Sequence, residues 1–169
     1  TMLAAHRGIG VYILVLANAT YDANLWKQLA PALSARHAEL AAAMTEALRR
    51  GQNLNEPDDD LLVYLKLNAI GFDHLSIMES RRAGLWEKMY NPIRALRPPR
   101  SSGMKFAGLL RAFDPSGFHF NKPFLAGEIF WEGVLAGKPA RVLYNKFPFA
   151  HLHGLLVPDP LREMPQCLT

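Results

Sequence analysis

The chain has 169 residues, half of them hydrophobic, with 19 cations against 15 acids and a net charge of +4. That is enough apolar length to bury a core, and it excludes a disordered chain; one domain, with a helical appendage at most, is the expectation. The single cysteine, Cys167, excludes an internal disulfide and fits a reducing, cytoplasmic setting, and no run approaches the ~20 apolar residues of a membrane helix.

Near the start, His6-Arg7, an apolar run over 11–17 and Ala17-Asn18-Ala19 imitate a signal peptide with a small-residue cleavage site. The segment is present in the chain, so 10–16 is read instead as a buried strand or helix segment. Residues 20–51 read as helical. Pro31 suits a first helical turn, Leu33, His37, Leu40, Met44 and Leu48 recur at helical spacing, and Arg49-Arg50-Gly51 supplies a cationic end and a terminating glycine. His37 on that stripe reads as a packed core residue. After a loop over 52–57, Asp58-Asp59-Asp60 reads as the acidic start of a helix over 61–68, and Gly71 as its break. Residues 72–88 also read as mostly helical, with Trp86 and Tyr90 at helical spacing and packed.

From Asn91 the character changes. Asn91-Pro92, Pro98-Pro99 and Ser101-Ser102-Gly103 forbid long regular elements and mark a seam between a helical region, 1–90, and a β-rich part, 91–169, within one compact unit. Residues 104–113 read as a strand or short helix, and 118–122 alternates in residue character. Strands are expected over 128–135, ending at Gly137-Lys138-Pro139, then over 141–144 and 154–157. The fold class is therefore α+β, a helical N-terminal half followed by an antiparallel sheet. Across the seam the charge is uneven: from Arg81 to Arg111 eight cations face one acid, Glu87, a net of +7. Guanidinium concentrated in this way suits phosphate.

The stretch 141–158, RVLYNKFPFAHLHGLLVP, joins two short apolar runs through a loop holding Asn145, Pro148, His151 and His153. A plain hairpin needs none of these polar groups, so the loop reads as a ligand rim. His151 and His153 would share one side of an extended chain. Zinc needs three or four ligands, and the remaining histidines show no metal-ligand spacing, so no metal is assigned.

Asn145-Lys146-Phe147-Pro148, then His153, then Leu155-Leu156-Val157-Pro158 resembles the first block of the histidine-triad superfamily, in the branch of galactose-1-phosphate uridylyltransferases, dinucleoside-tetraphosphate phosphorylases and GDP-hexose phosphorylases. Phe118-His119-Phe120-Asn121-Lys122 with Glu128-Ile129-Phe130 is similar to the entry strands of that branch. Asn91-Pro92 with Arg94-Ala95-Leu96-Arg97-Pro98 resembles its arginine-rich phosphate loop. The resemblance covers roughly 90–158. It implies a half-barrel of antiparallel strands and a nucleotidyltransferase or phosphorylase acting on a nucleoside diphosphate sugar or a dinucleoside polyphosphate through a phosphohistidine. By position, Asn145 would contact the sugar, Arg94 and Arg97 would face phosphates beside Lys146, and His153 would support the nucleophile from behind. The nucleophilic His-x-His-x-Gln or His-x-His-x-His motif lies downstream in that family and is absent from 1–169, because the third position after His151 and His153 is Leu155. Residues 1–169 are thus expected to be the N-terminal portion of a longer enzyme, with no catalytic residue of their own. The edge at Val157 would be covered by a later segment or a second chain, as in a homodimer. The competing expectations are a non-catalytic nucleotide-binding or interaction module and a basic nucleic-acid binder. The last is disfavoured because the basic stretch lacks exposed aromatic candidates for base stacking.

Overall fold

Residues 8–98, 108, 110–164, 166 and 167 are described by a computed structural model. The Ser101-Ser102-Gly103 turn, Arg100, Lys105 and half of the expected element over 104–113 lie outside those residues, as do His6 and Arg7. The protein is α+β: helices dominate the N-terminal half, and antiparallel sheets follow. The chain divides into two compact units, one of residues 1–98 with 145–153, the other of 99–144 with 154–169. The sequence expectation is one unit with its seam near residue 90. The loop between two strands of the second unit is packed as part of the first.

The helical unit is built around α1, Ile9–Ala19. Ile9, Tyr12, Ile13, Leu14, Leu16, Ala17 and Ala19 are all buried, covering most of the circumference, as expected of a helix inside a core rather than on a surface. α2, Ala23–Arg49, buries one stripe of Leu33, His37, Leu40, Met44 and Ala47. Leu48, expected on that stripe, is exposed. Pro31 lies inside α2 rather than in its first turn. The helix starts earlier because the Asp22 carboxylate accepts from the backbone N–H groups of Asn24 (2.8 Å) and Leu25 (2.9 Å), a cap that fixes the first turn well before the proline.

α3, Asp58–Ile70, carries its three aspartates in the first turn, where they favour the positive end of the helix dipole. It ends at Gly71, whose φ of 87° is a conformation that glycine adopts without a Cβ penalty. Tyr12, His37 and Tyr64 meet in the core: Tyr12 Oη lies 2.9 Å from His37 Nδ1, and the Tyr64 hydroxyl donates to the His37 carbonyl at 2.6 Å. Burial holds the His37 imidazole below its ordinary value, the Asn68 side chain pulling the other way, and pushes the Tyr64 phenol up to about 12.

The helical reading of 72–88 is overturned. Phe72–His74 is a single 3-10 turn, and β1, Glu79–Ala83, pairs antiparallel with β2, Trp86–Tyr90. Gly84 and Leu85 form the two-residue connection, with Gly84 at φ 64°, a glycine at the first central position of a tight hairpin turn. Apolar residues at 85, 86 and 89 imitate helical spacing, but this turn lets the strands on either side pair. Both strands are exposed at every position, so Trp86 and Tyr90 do not pack. The short helix α4, Pro92–Ala95, follows, capped by Asn91.

In the second unit β3, Leu110–Arg111, pairs with β7, Gln166–Cys167, and β4, Ile129–Leu135, β5, Lys138–Tyr144, and β6, Gly154–Pro158, form an antiparallel meander. Ala136 and Gly137, at φ 50° and 77°, make the tight β4–β5 turn. Among the described residues β6 pairs only with β5. Residues 118–122, expected to resemble a strand, are irregular. Arg141 donates to the Phe120 carbonyl at 2.9 Å and the Asn121 N–H donates to His119 Nδ1 at 3.2 Å, so side chains satisfy part of this backbone instead of a ladder.

Candidate functional site

The loop over 145–153 is held as tightly as a core element. Its ends are joined by the Asn145 N–H donating to the His153 carbonyl at 3.2 Å. Three of its carbonyls accept from side chains of the helical unit: Asn145 from Asn18 (3.2 Å), Phe147 from the Arg94 guanidinium, and Pro148 from Tyr21 (2.6 Å). Lys146, Phe147 and Pro148 are buried. A loop with buried backbone must find partners for its polar groups, and these side chains provide them.

Within that frame the orientation of each polar group can be worked out. The Phe147 N–H donates to Asn145 Oδ1 at 3.0 Å, so the amide nitrogen is the atom facing the imidazole, 3.1 Å from His153 Nδ1. The Phe149 N–H also points at Nδ1, at 3.4 Å. Two donors aimed at one ring nitrogen require a lone pair there, so His153 is neutral with its proton on Nε2. Burial, then the Arg94 charge, hold the imidazole below its ordinary value. The Phe149 ring lies tilted against His153, centroids 4.0 Å apart, and Arg94 sits over the same Phe149 ring, 5.4 Å from its centre.

Arg94 is positioned by α4. Asn91 Oδ1 accepts the Arg94 N–H at 3.1 Å, and the Asn91 amide donates to the Thr20 hydroxyl at 2.9 Å, which fastens the cap to the end of α1. Among the described residues no carboxylate pairs with Arg94, so its guanidinium combines one backbone bond, one aromatic face and remaining donors.

The predicted residues therefore separate. Asn145, His153 and Arg94 come together. Arg97, one residue beyond the α4 C-cap, has an exposed side chain. Lys146, expected at the phosphates, instead directs its ammonium inward, 2.9 and 3.1 Å from the two oxygens of the Asp60 carboxylate, in a pair whose side chains are only 7% and 8% exposed. Gly10 leaves room for that pair; a methyl there would come within 2.5 Å of Asp60 Oδ2. His151 is exposed, and the Leu25 and Asn24 backbone N–H groups, followed by His151, hold the Asp22 carboxyl below its ordinary value.

Sequence reasoning did not find Asn18, Tyr21 or Asp60 as the partners of this loop. Two of them carry a usable signal. Asn18 is a polar residue in an otherwise apolar helix, and Asp60 is in phase with the buried Val63, Tyr64 and Leu67, so each needed a partner inside. Among the described residues no group of three or more His, Cys, Asp or Glu stands together to hold a metal ion, and no helix is long and apolar enough to cross a membrane. No family model, no curated protein and no solved structure matches the chain.

Proposed function

We propose that the loop over 145–153 and Arg94 form one wall of a nucleotide-phosphate site in a nucleotidyltransferase or phosphorylase that acts on a nucleoside diphosphate sugar or a dinucleoside polyphosphate. The observation that carries this reading is the convergence on one loop of the Arg94 guanidinium, which pairs with no carboxylate among the described residues, and the Nε2–H imidazole of His153. Guanidinium donors suit the non-bridging oxygens of a phosphate, and an uncharged N–H donor can hold either a phosphate oxygen or a second imidazole in one orientation.

In this reading the nucleophilic histidine belongs to a segment other than 1–169. Its ring nitrogen attacks the α-phosphorus and displaces a sugar phosphate from a nucleoside diphosphate sugar, or a nucleoside polyphosphate from a dinucleoside polyphosphate, and an acceptor such as inorganic phosphate then takes the nucleotidyl group from nitrogen. His153 holds that imidazole from behind, Arg94 with Arg97 offsets the charge on the phosphates, and Asn145 fixes the tautomer of His153. A cytoplasmic setting and a partner segment along β6, from the same chain or a second copy, belong to the same proposal. A non-catalytic nucleotide-binding module is the second reading, favoured by the lack of a His-x-His-x-Gln or His-x-His-x-His run in these residues.

Calorimetric titration of the chain with ADP, GDP and UDP tests the site. Binding that Arg94→Ala and Arg97→Ala weaken about tenfold or more, with the melting temperature of Arg97→Ala unchanged, is the expected result. Absence of binding to all three, or equal loss of binding and folding in Arg97→Ala, overturns it. Phosphorolysis by the full-length gene product, abolished when a downstream histidine is replaced, separates enzyme from binding module.

A further inference from the structure

The β1–β2 hairpin has an unusual composition for an element that buries nothing. All ten strand residues are exposed, yet they include Trp86 (77% exposed), Met89 and Tyr90 (59%), next to a fully exposed Leu85. A two-stranded hairpin without a buried face is marginal in water, and clustered exposed apolar side chains mark binding surfaces. This hairpin is secured at its base instead. The Met78 N–H donates to the Thr20 carbonyl at 2.8 Å, and Asn91, just past β2, donates to the Thr20 hydroxyl at 2.9 Å. One residue thus fastens both legs of an exposed arm.

The register sorts its side chains into two dissimilar faces. Ala83 pairs with Trp86, Arg81 with Lys88 and Glu79 with Tyr90, and directly paired residues share a face. One face therefore reads tryptophan, then two cations abreast, then tyrosine, with Glu79 at the far end. The rings sit four residues apart on β2, about 13 Å at strand spacing. The opposite face pairs Arg82 with Glu87 and Ser80 with Met89, and Ser80 donates to the Glu87 carboxylate, so its charges are balanced. Like charges directly across a strand pair repel. Among the described residues the Arg81–Lys88 pair is relieved only by Glu79, 3.7 Å from Arg81 in a pair that is largely exposed. An anion between the two cations would remove the repulsion.

We propose that this face is a docking platform for single-stranded nucleic acid. The order ring, cation pair, ring matches the alternation of base and phosphate along a single strand: one base stacks on Trp86, a base two nucleotides along stacks on Tyr90, and the two phosphates on the path between them meet Arg81 and Lys88. Aromatic rings on an open sheet face, flanked by cations, bind single strands with little sequence preference. A duplex has its bases stacked inside and offers no ring to Trp86. The platform uses none of the residues of the nucleotide site, and it stands or falls independently of that reading.

Fluorescence anisotropy of a labelled oligothymidylate of about 20 nucleotides, titrated with the protein, tests the proposal. Trp86→Ala and Tyr90→Ala should each weaken binding roughly 5- to 150-fold, the range that loss of one stacked base gives. Trp86→Phe should restore most of it. Two phosphate contacts predict a log–log salt slope near about −1.4, and Arg81→Ala with Lys88→Ala should flatten it. Thermal melting of these exposed-site variants should match the parent, and Trp86→Ala should leave mononucleotide binding unchanged. No anisotropy change, binding that survives loss of both rings, or equal affinity for a duplex of the same length would overturn the proposal. So would a sedimentation result in which the chain is a dimer that Trp86→Ala dissolves, because the face would then belong to a second copy.

Discussion

The loop over 145–153 and the hairpin over 79–90 belong to the same compact unit and invert what their compositions suggest. The loop is rich in polar and ionisable side chains, yet Lys146, Phe147 and Pro148 are buried and its carbonyls are held by Asn18, Tyr21 and Arg94. The hairpin carries tryptophan, tyrosine and methionine, yet all of it faces solvent. Polarity alone does not decide burial. A polar loop goes inside when every group finds a partner, and apolar side chains stay outside when their strands have nothing to pack on. The two regions suit different ligands: a fixed arrangement of donors favours one small anion, whereas exposed rings on an arm accept many bases.

The contrast can be broken most severely at Asp60. Asp60→Ala leaves the Lys146 ammonium buried without its partner carboxylate and should cost about 3–5 kcal/mol in chemical denaturation, whereas Asp60→Leu with Lys146→Met together should cost far less. If the single and double variants were equally damaged, the pair would not be what holds the loop. Next in size is Asn145→Ala, which removes the acceptor of the Phe147 N–H and a donor to His153, with an expected loss of about 1–3 kcal/mol. Nitrogen-detected NMR of the imidazole should show Nε2–H in the parent and a mixture of tautomers in the variant.

The pH response sharpens the comparison further. His37 and His153 are both held below the ordinary imidazole value of 6.5, chiefly by burial. Unfolded chains therefore take up protons as pH falls through 6.5 while the folded protein resists. Stability is full above that value and is lost progressively below it. Melting temperatures measured between pH 7.5 and 5 should fall, and Asn145, whose amide faces His153 Nδ1, should report the change in its side-chain NMR shifts. Smallest of all, Trp86→Ala should change folding stability by no more than about 0.5 kcal/mol.

Much of the helical frame could be read from the sequence because its signals are local. The Leu33–His37–Leu40–Met44 spacing, the glycine after Ile70 and the acidic start of α3 each lie within one or two turns of the feature they determine. The helical span over 20–51 is legible, but Pro31 reads wrongly as a first-turn residue because proline is a strong local cue and the cap, Asp22, lies several residues earlier. The hairpin was missed because Gly84-Leu85 reads as a turn only if the flanking segments are already taken as strands. For the site, Asn145, His153 and Arg94 were visible as residue types, but the commitment of Lys146 to Asp60 spans 86 positions and no local pattern reveals it.

That separation also bears on the order in which the protein can mature. During synthesis α1, α2 and α3 emerge long before residue 145, yet Asp60 and Asn18 acquire their final partners only from a segment 86 and 127 positions later. Until the ribosome has delivered that segment, the early helices carry an uncompensated carboxylate at the place where their core should close. Such distant closures are slow steps in folding. A gene truncated after residue 98 should therefore yield a helical intermediate that binds hydrophobic dyes, and adding a synthetic peptide of residues 145–153 should reduce that binding.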